Sequence, residues 1–475
     1  MAENQPSVIT GTDLDADVVL SNKERLFYSF GVVAIIVPFM LPLMFLNFFW
    51  TDVVLIPAGV VGTFMMLCKL WDAINDPIIG SYIDRSYHPK GRYKRWLIPM
   101  GIITNLLCIL LFVKLPGELG TMQYLFSFGI YFIFFASYTA LEVPHLSLLS
   151  SLTTNYAQRG ILTSWRQTFA SLIMMFVSAT ALPMVGILGQ GDQAKGFLLT
   201  MLIYNIVTIP FYFFCTAGVK ERVIPSKDEV QTPFFSSFKA MKGNTPAWCL
   251  AGAMMTMGLS SGFGGAGMYF WTYYVGDQMK QALFGTVNSA SALLGGPLMI
   301  LLLRLMKNKK KLGMMGWGVS AIGGVLCMFL PLQHSGLPGA GNSWAIYAYL
   351  AIQIVRSAFG QLTLITIFSS MPDVSEYTKV KYNLRAAGFI VTIIYFFWKL
   401  GTSLTQGIIG WVMGAMNYMP GVYGSQPDNI LTWIWVCMFV MPVIFLVLGV
   451  LCFIPYKINE DTHKEMLKQI SEQQA

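Results

Sequence analysis

Long apolar stretches of roughly 20 to 28 residues alternate along this chain with short polar connections. They fall near 27–50, 53–80, 96–114, 122–149, 165–190, 197–217, 245–275, 281–305, 313–333, 344–370, 386–415 and 430–455. Stretches of that length suit helices crossing a hydrocarbon layer about 30 Å thick and exceed what a barrel strand needs. The pattern therefore predicts an all-α polytopic membrane protein with about twelve transmembrane helices. The longest internal connection, 218–244, is polar, holds Pro225 and Pro233, and divides the spans six and six. The predicted organisation is a polar N-terminal segment (1–26), a six-helix bundle (27–217), a linker (218–244), a second six-helix bundle (245–455) and a short tail (456–475). The first apolar run is too long for a cleavable signal peptide.

The cations follow the same alternation. Connections after even-numbered spans carry Arg85, Lys90, Arg92, Lys94 and Arg95, then Arg159, then Lys220 to Lys242, then Arg304 to Lys311, then Lys379 to Arg385. Odd-numbered connections are nearly bare of Lys and Arg, so the positive-inside rule predicts that both termini are cytoplasmic. With 475 residues, 55% hydrophobic and 11% charged, and a mean hydropathy of +0.59, a soluble domain is excluded, since that class carries about a quarter charged residues. The net charge of +8 sits in the connections and reads as topology rather than nucleic-acid binding. The seven cysteines lie in or beside apolar runs without metal-ligand spacing, as packing residues do. The loop after span 2 (Gly80, Asp84, Arg85, Gly91, Arg92, Arg95) has a weaker counterpart after span 8 (Gly296, Arg304, Lys307), a faint sign of a duplicated bundle with its site between the halves.

Charges inside the spans point to the chemistry, because they are costly there and normally serve an ion or substrate pathway. Asp72 and Asp76 lie four residues apart on one face of span 2. Two carboxylates at that depth either share a proton or hold a cation. Span 4 adds Glu142, with Thr139 one turn earlier, and Pro144 is expected to open that helix locally and free carbonyl oxygens. The set is all oxygen, as hard cations such as Na⁺ prefer, so Asp72, Asp76 and Glu142 are the candidate metal ligands if the coupling ion is sodium. His145 reads as a packing residue beside the kink. Arg166 at the start of span 5 and Lys399 within span 11 are the cations expected near a substrate, while Arg356 in span 10 has no assigned role.

W-D-A-I-N-D-P-I-I-G from Trp71, the basic loop ending G-R-Y-K-R-W, L-E-V-P in span 4, and D-V-S-E-Y-T-K-V-K-Y-N-L-R before span 11 together resemble the glycoside–pentoside–hexuronide cation symporters of the major facilitator superfamily. The likeness covers nearly all the spans. It implies that Asp72, Asp76, Glu142 and Thr139 bind the cation and that Arg166 and Lys399 lie near substrate and ion. It also implies that Asp84, Arg85, Arg92, Arg95, Asp373, Glu376 and Arg385 form a cytoplasmic gate or conformational motif. Two departures stand out: span 4 has Glu142 where the family usually has Asp, which bears on the choice of ion, and span 1 lacks the acidic residue that grips sugar hydroxyls in disaccharide carriers, which bears on substrate.

The expected activity is symport of a glycoside or sugar acid with Na⁺ or H⁺ by alternating access, with an anionic substrate such as a hexuronide favoured by the missing acid. The alternatives are an amphiphile such as a lysolipid, or a transport-inactive solute sensor; an enzyme ranks last, since no nucleophile, base and orienting group converge. No tightly held cofactor and no nucleic acid is expected. The expected setting is a monomer in a bacterial cytoplasmic membrane, its partners being substrate, coupling cation and lipid.

Overall fold

The structure, a computed structural model, describes residues 20–85, 91, 93–116, 120–153, 156–222, 241–306, 308–332, 343–382, 387–422 and 426–458. Ser21 starts the first helix with a capping box, its hydroxyl accepting from the Glu24 N–H while Glu24 reaches back. In the first half the helices are α1 (Asn22–Phe48), α2 (Ala58–Arg85), α3 (Lys94–Leu111), α4 (Gly120–Leu152), α5 (Tyr156–Gly189) and α6 (Gln193–Gly218). In the second they are α7 (Thr245–Gly262), α8 (Lys280–Ala292), α9 (Gly295–Met306), α10 (Lys309–Met328), α11 (Ser343–Tyr382), α12 (Ala387–Ala415), α13 (Asp428–Trp435) and α14 (Met441–Phe453). Because α8 runs into α9 and α13 into α14 with almost no interruption, the fourteen segments make twelve rods. No strand occurs among the described residues, as the lipid setting requires: a helix satisfies its own backbone.

Among the described residues, nine of the rods are long and apolar enough to cross a membrane by length and composition alone. α2 and α7 are not among them. Both pack along α12 at the centre. Their polar residues lower the hydropathy because those residues face protein rather than lipid.

Several helices outrun their apolar stretches. α4 continues to Leu152, α5 begins at Tyr156 and α11 reaches Tyr382, because a helix leaving lipid goes on for as long as its polar faces find partners. Lys309 supplies one for α11, its ammonium 2.7 Å from Asp373. At Pro144 the structure departs from expectation: α4 passes through it without a break, so the expected local opening is absent. In transmembrane helices such a proline is tolerated where packed neighbours hold the backbone.

The packing is asymmetric across the membrane. On the face opposite the termini, one apolar cluster joins both halves, from Val37, Phe45 and Trp50 to Trp271, Ile409 and Phe439. Toward the termini the core divides: Tyr28, Tyr93, Leu148 and Tyr212 belong to one cluster, and Leu250, Trp317, Ile394 and Phe453 to another. The halves thus lean together at one face and part at the other.

Candidate functional site

α2 passes between α4 and α12, and its two carboxylates, Asp72 buried and Asp76 partly exposed, bridge them. Thr139 on α4 places its hydroxyl 3.3 Å from Asp72 Oδ1 and 2.9 Å from Asp76 Oδ1. The Lys399 ammonium on α12 lies 2.8 Å from Asp72 Oδ2 and 2.5 Å from Asp76 Oδ2. Each carboxylate therefore spends one oxygen on the hydroxyl and the other on the ammonium. Asp72 is nearly sealed, its side chain 9% exposed, whereas that of Asp76 is 32% exposed and offers the route by which an ion or water arrives.

These are the ion pairs that cross between the halves among the described residues; Glu24–Arg222, Asp277–Lys280 and Asp373–Lys309 each stay within one half. The register that brings Lys399 to α2 is fixed by glycine. A Cβ on Gly258 of α7 would come within 2.3 Å of the Trp398 carbonyl oxygen, and one on Gly401 within 2.5 Å of that of Met255. On the other side of α12, Ser403 Oγ donates to the Met66 carbonyl at 2.7 Å and Trp411 Nε1 to Thr63 at 2.7 Å.

Glu142, one turn after Thr139, makes no hydrogen bond or ion pair among the described residues, and it lies in the fields of Lys399 and Arg166. Of the expected cation-binding set, the structure thus joins Asp72, Asp76 and Thr139, while Glu142 stands apart. No cluster of three His, Cys, Asp or Glu side chains that could hold a metal forms among the described residues. Arg166 on α5 is likewise without an ion pair, and its Nε is buried with no hydrogen-bond partner. His145 packs as expected, stacked on Tyr28 with ring centroids 4.6 Å apart.

Three polar groups escaped the sequence reading. Asn75, just before Asp76, is 3% exposed, and its amide Nδ2 lacks a partner; the N-D pair in W-D-A-I-N-D-P was its signal. Lys69 lies one turn before Asp72, close enough to feel its charge without pairing to it. Asp52, at the far end of α1, binds residues of the second half. Arg356 donates to the Ser320 carbonyl at 3.2 Å and to Gln353, tying α11 to α10.

Of the expected gate motif, Arg95 is exposed at the start of α3 with its guanidinium over the Trp96 ring, and Asp373 pairs with Lys309 inside the second half. Arg92 and Arg385, and the side chains of Asp84, Arg85 and Glu376, lie outside the described residues.

The chain matches the family described as MFS/sugar transport protein over residues 27–460. It is 24% identical over 462 residues to an Escherichia coli K12 protein provisionally named the glycoside/cation symporter YagG, covering 96% of each chain. A second Escherichia coli K12 protein, provisionally named a 2,3-dihydroxypropane-1-sulfonate exporter, is 24% identical over 470 residues, covering 97% of each. In fold alone, the crystal structure of a mutant of the nucleoside transporter NupG matches with a TM-score of 0.65 at 12% identity, over 91% of this chain and 100% of that one. Twelve rods in two halves, carboxylates facing an ammonium between them, and a family match spanning all the rods lead to one assignment: the chain belongs to the MFS sugar-transport family, among the glycoside–pentoside–hexuronide cation symporters, and is a membrane transporter rather than an enzyme.

Proposed function

We propose that the chain couples Na⁺ or H⁺ to the movement of a small anionic solute of the hexuronide or sulfonated-glycoside class. The observation that carries the coupling is the Lys399 ammonium bridging Asp72 and Asp76 across the two halves. An ammonium already fills the position a coupling cation would take, so an arriving ion competes with it for the same oxygens. The ion reaches Asp76 first, from the cavity, and loosens the only described charge contact between α2 and α12. Asn75 turned about its last torsion offers an oxygen in place of its unpartnered nitrogen, adding a ligand to those of Asp72, Asp76 and Thr139. Substrate and ion together then make the rocking of the halves favourable, which neither does alone.

A charge count supports the anionic substrate. Three carboxylates (Asp72, Asp76, Glu142) stand against three cations (Lys69, Arg166, Lys399), so the loaded coupling ion leaves a surplus of one positive charge. Arg166 is the group with free capacity, and a guanidinium holds a carboxylate or sulfonate through two parallel hydrogen bonds. The sulfonate named for one relative is of that chemical type. We place the protein in a bacterial cytoplasmic membrane with the termini, and so the open face, toward the cytoplasm.

The test is uptake by proteoliposomes under separate Na⁺ and pH gradients, offered a hexuronide, a sulfonated sugar, a neutral disaccharide and a lysophospholipid. Gradient-driven accumulation of an anionic sugar is the expected result. Accumulation of the neutral sugar or lysolipid alone would overturn the substrate class, and accumulation indifferent to both gradients would overturn the coupling.

A further inference from the structure

The two halves carry the same short motif at the same place. α1 ends in F-F-W-T-D-V-V-L (Phe48–Leu55), and α7 leads into Y-F-W-T-Y-Y-V-G (Tyr269–Gly276). In each, five residues beginning at the second aromatic form a π-helical turn, Phe49–Val53 and Phe270–Tyr274. Such turns are rare and recur at functional sites. The exits match bond for bond: Val54 N–H donates to the Phe49 carbonyl at 2.9 Å and Ile56 N–H to that of Trp50 at 2.8 Å, while Val275 donates to Phe270 at 3.0 Å and Asp277 to Trp271 at 2.8 Å. Both turns end in a left-handed residue, Leu55 with φ 68° and Gly276 with φ 81°. Gly is at ease there; Leu is held in an uncommon conformation by its surroundings. Trp50 and Trp271 are both fully buried and root the turns in the shared core.

The motifs meet each other at equivalent positions. Phe48 packs on Tyr269 with centroids 6.0 Å apart, and Asp52 accepts a short hydrogen bond from Tyr273, its counterpart. The Asp52 carboxylate also accepts from Tyr418 Oη at 2.6 Å, from the Gly421 N–H at 3.1 Å and from Thr51 beside it, whose hydroxyl lies 2.8 Å from that of Tyr269. Tyr269, Tyr273, Tyr418 and Gly421 all belong to the second half. Asp52 is 8% exposed and makes no ion pair among the described residues; the Lys114 ammonium nearby is spent on the Val53 carbonyl at 2.8 Å. A carboxylate buried without a cation, whose donors apart from the adjacent Thr51 hydroxyl all come from the opposing half, favours the closed arrangement and loses most of that favour once the halves part.

We propose that the paired F-W-T turns are the gate on the face opposite the termini and that Asp52, held by Tyr273, Tyr418 and the Gly421 amide, is its latch. Opening the cavity to that face requires these bonds to break together, while the π-turns keep the backbone rigid enough for the latch to reform in register. The assignment rests on alternating access but on neither the ion nor the substrate proposed above. Its test therefore uses neither, so that its failure and theirs are distinguishable.

Thr272 supplies the reporter. It lies in the second F-W-T turn, 7% exposed, with a hydroxyl that has no partner, so Thr272→Cys is a mild change at a position that opening would uncover. A membrane-impermeant maleimide is applied to each face of the membrane separately, in the T272C background, with the parent lacking T272C setting the native-cysteine background. Adding Tyr418→Phe, which keeps the ring and deletes one donor, is expected to speed labelling from the face opposite the termini about tenfold, equivalent to about 1.4 kcal/mol of closing free energy. Asp52→Ala is expected to speed it more. The proposal is overturned if Tyr418→Phe leaves the rate unchanged, if labelling rises equally from both faces, or if T272C alone reacts as fast as in the denatured protein.

Discussion

Removing Lys399 strands two carboxylates, and the size of the effect follows from the geometry. At 2.8 and 2.5 Å, the two charge pairs are worth about 6 and about 7 kcal/mol at an effective dielectric constant near 20, before desolvation is subtracted. Truncating one partner of a buried pair typically costs about 3–5 kcal/mol net. Asp76 is a third exposed and recovers part of that from water, so Lys399→Ala is expected to cost about 3 kcal/mol in a sodium-free buffer. If the ammonium competes with the coupling ion, the variant also gains more from that ion than the native protein does. At one hundred times its dissociation constant a ligand contributes about 2.7 kcal/mol, enough to restore most of the loss. The assay is denaturation of the purified protein in detergent, with choline replacing Na⁺ in one series and acidification in another, since either cation cancels the stranded charge. A variant that loses less than about 1 kcal/mol, or that responds to Na⁺ and acid no more than the native protein does, would refute the competition argument. So would undiminished accumulation of substrate by the variant.

Three more outcomes are expected. Asp72→Asn and, separately, Asp76→Asn should abolish gradient-driven accumulation in proteoliposomes while leaving substrate exchange measurable; normal accumulation by either would remove that residue from the coupling site. Arg166→Lys should weaken binding of an anionic substrate by about 1.5–3 kcal/mol in calorimetry, since a single ammonium cannot reproduce two parallel hydrogen bonds to a charged group, and an unchanged affinity would exclude Arg166 as the anion's partner. Gly410→Ala places a Cβ 2.5 Å from Gly62 Cα and from the Ala58 carbonyl oxygen, and overpacking of that kind costs about 1–3 kcal/mol; a melting temperature equal to that of the native protein would mean α2 and α12 are not in such close contact.

The span pattern was legible because lipid imposes it: apolar runs of the right length have few other readings. Asp72, Asp76 and Lys399 stood out individually for the same reason, as charges in the wrong solvent. The resemblance put Lys399 near the ion site, but the register that lets it bridge both carboxylates was not legible, since it depends on glycines at 258 and 401 that set the height of α12 against α7, and glycine spacing looks alike in any transmembrane helix. Glu142 shows the limit from the other side. It shares a helical face with Thr139, yet a turn of α4 places only the shorter side chain against α2. Asp52 was missed because it sits at the end of an apolar run, where an acid reads as an interface residue. The repeated F-W-T at 49–51 and 270–272 was plain in the sequence, but a three-residue identity 221 positions apart carries weight only when both copies fold alike and touch, as Asp52 and Tyr273 do.

Along the upper part of α2 and α12 the halves touch backbone to backbone. Gly62 meets Gly410 and Gly59 meets Gly414, so closely that a methyl group on Gly410 or Gly414 would lie 2.5 to 3.2 Å from the opposing chain. Interlocked side chains act like meshed teeth and must disengage before two surfaces can roll; bare glycine surfaces act like a smooth journal in its bearing. In a carrier that rocks between inward and outward forms, a seam of this kind leaves the preference for one tilt to its few polar contacts, among them Trp411 on Thr63 and Ser403 on Met66. Single substitutions at those contacts then retune the resting form without disturbing the axis on which the halves turn.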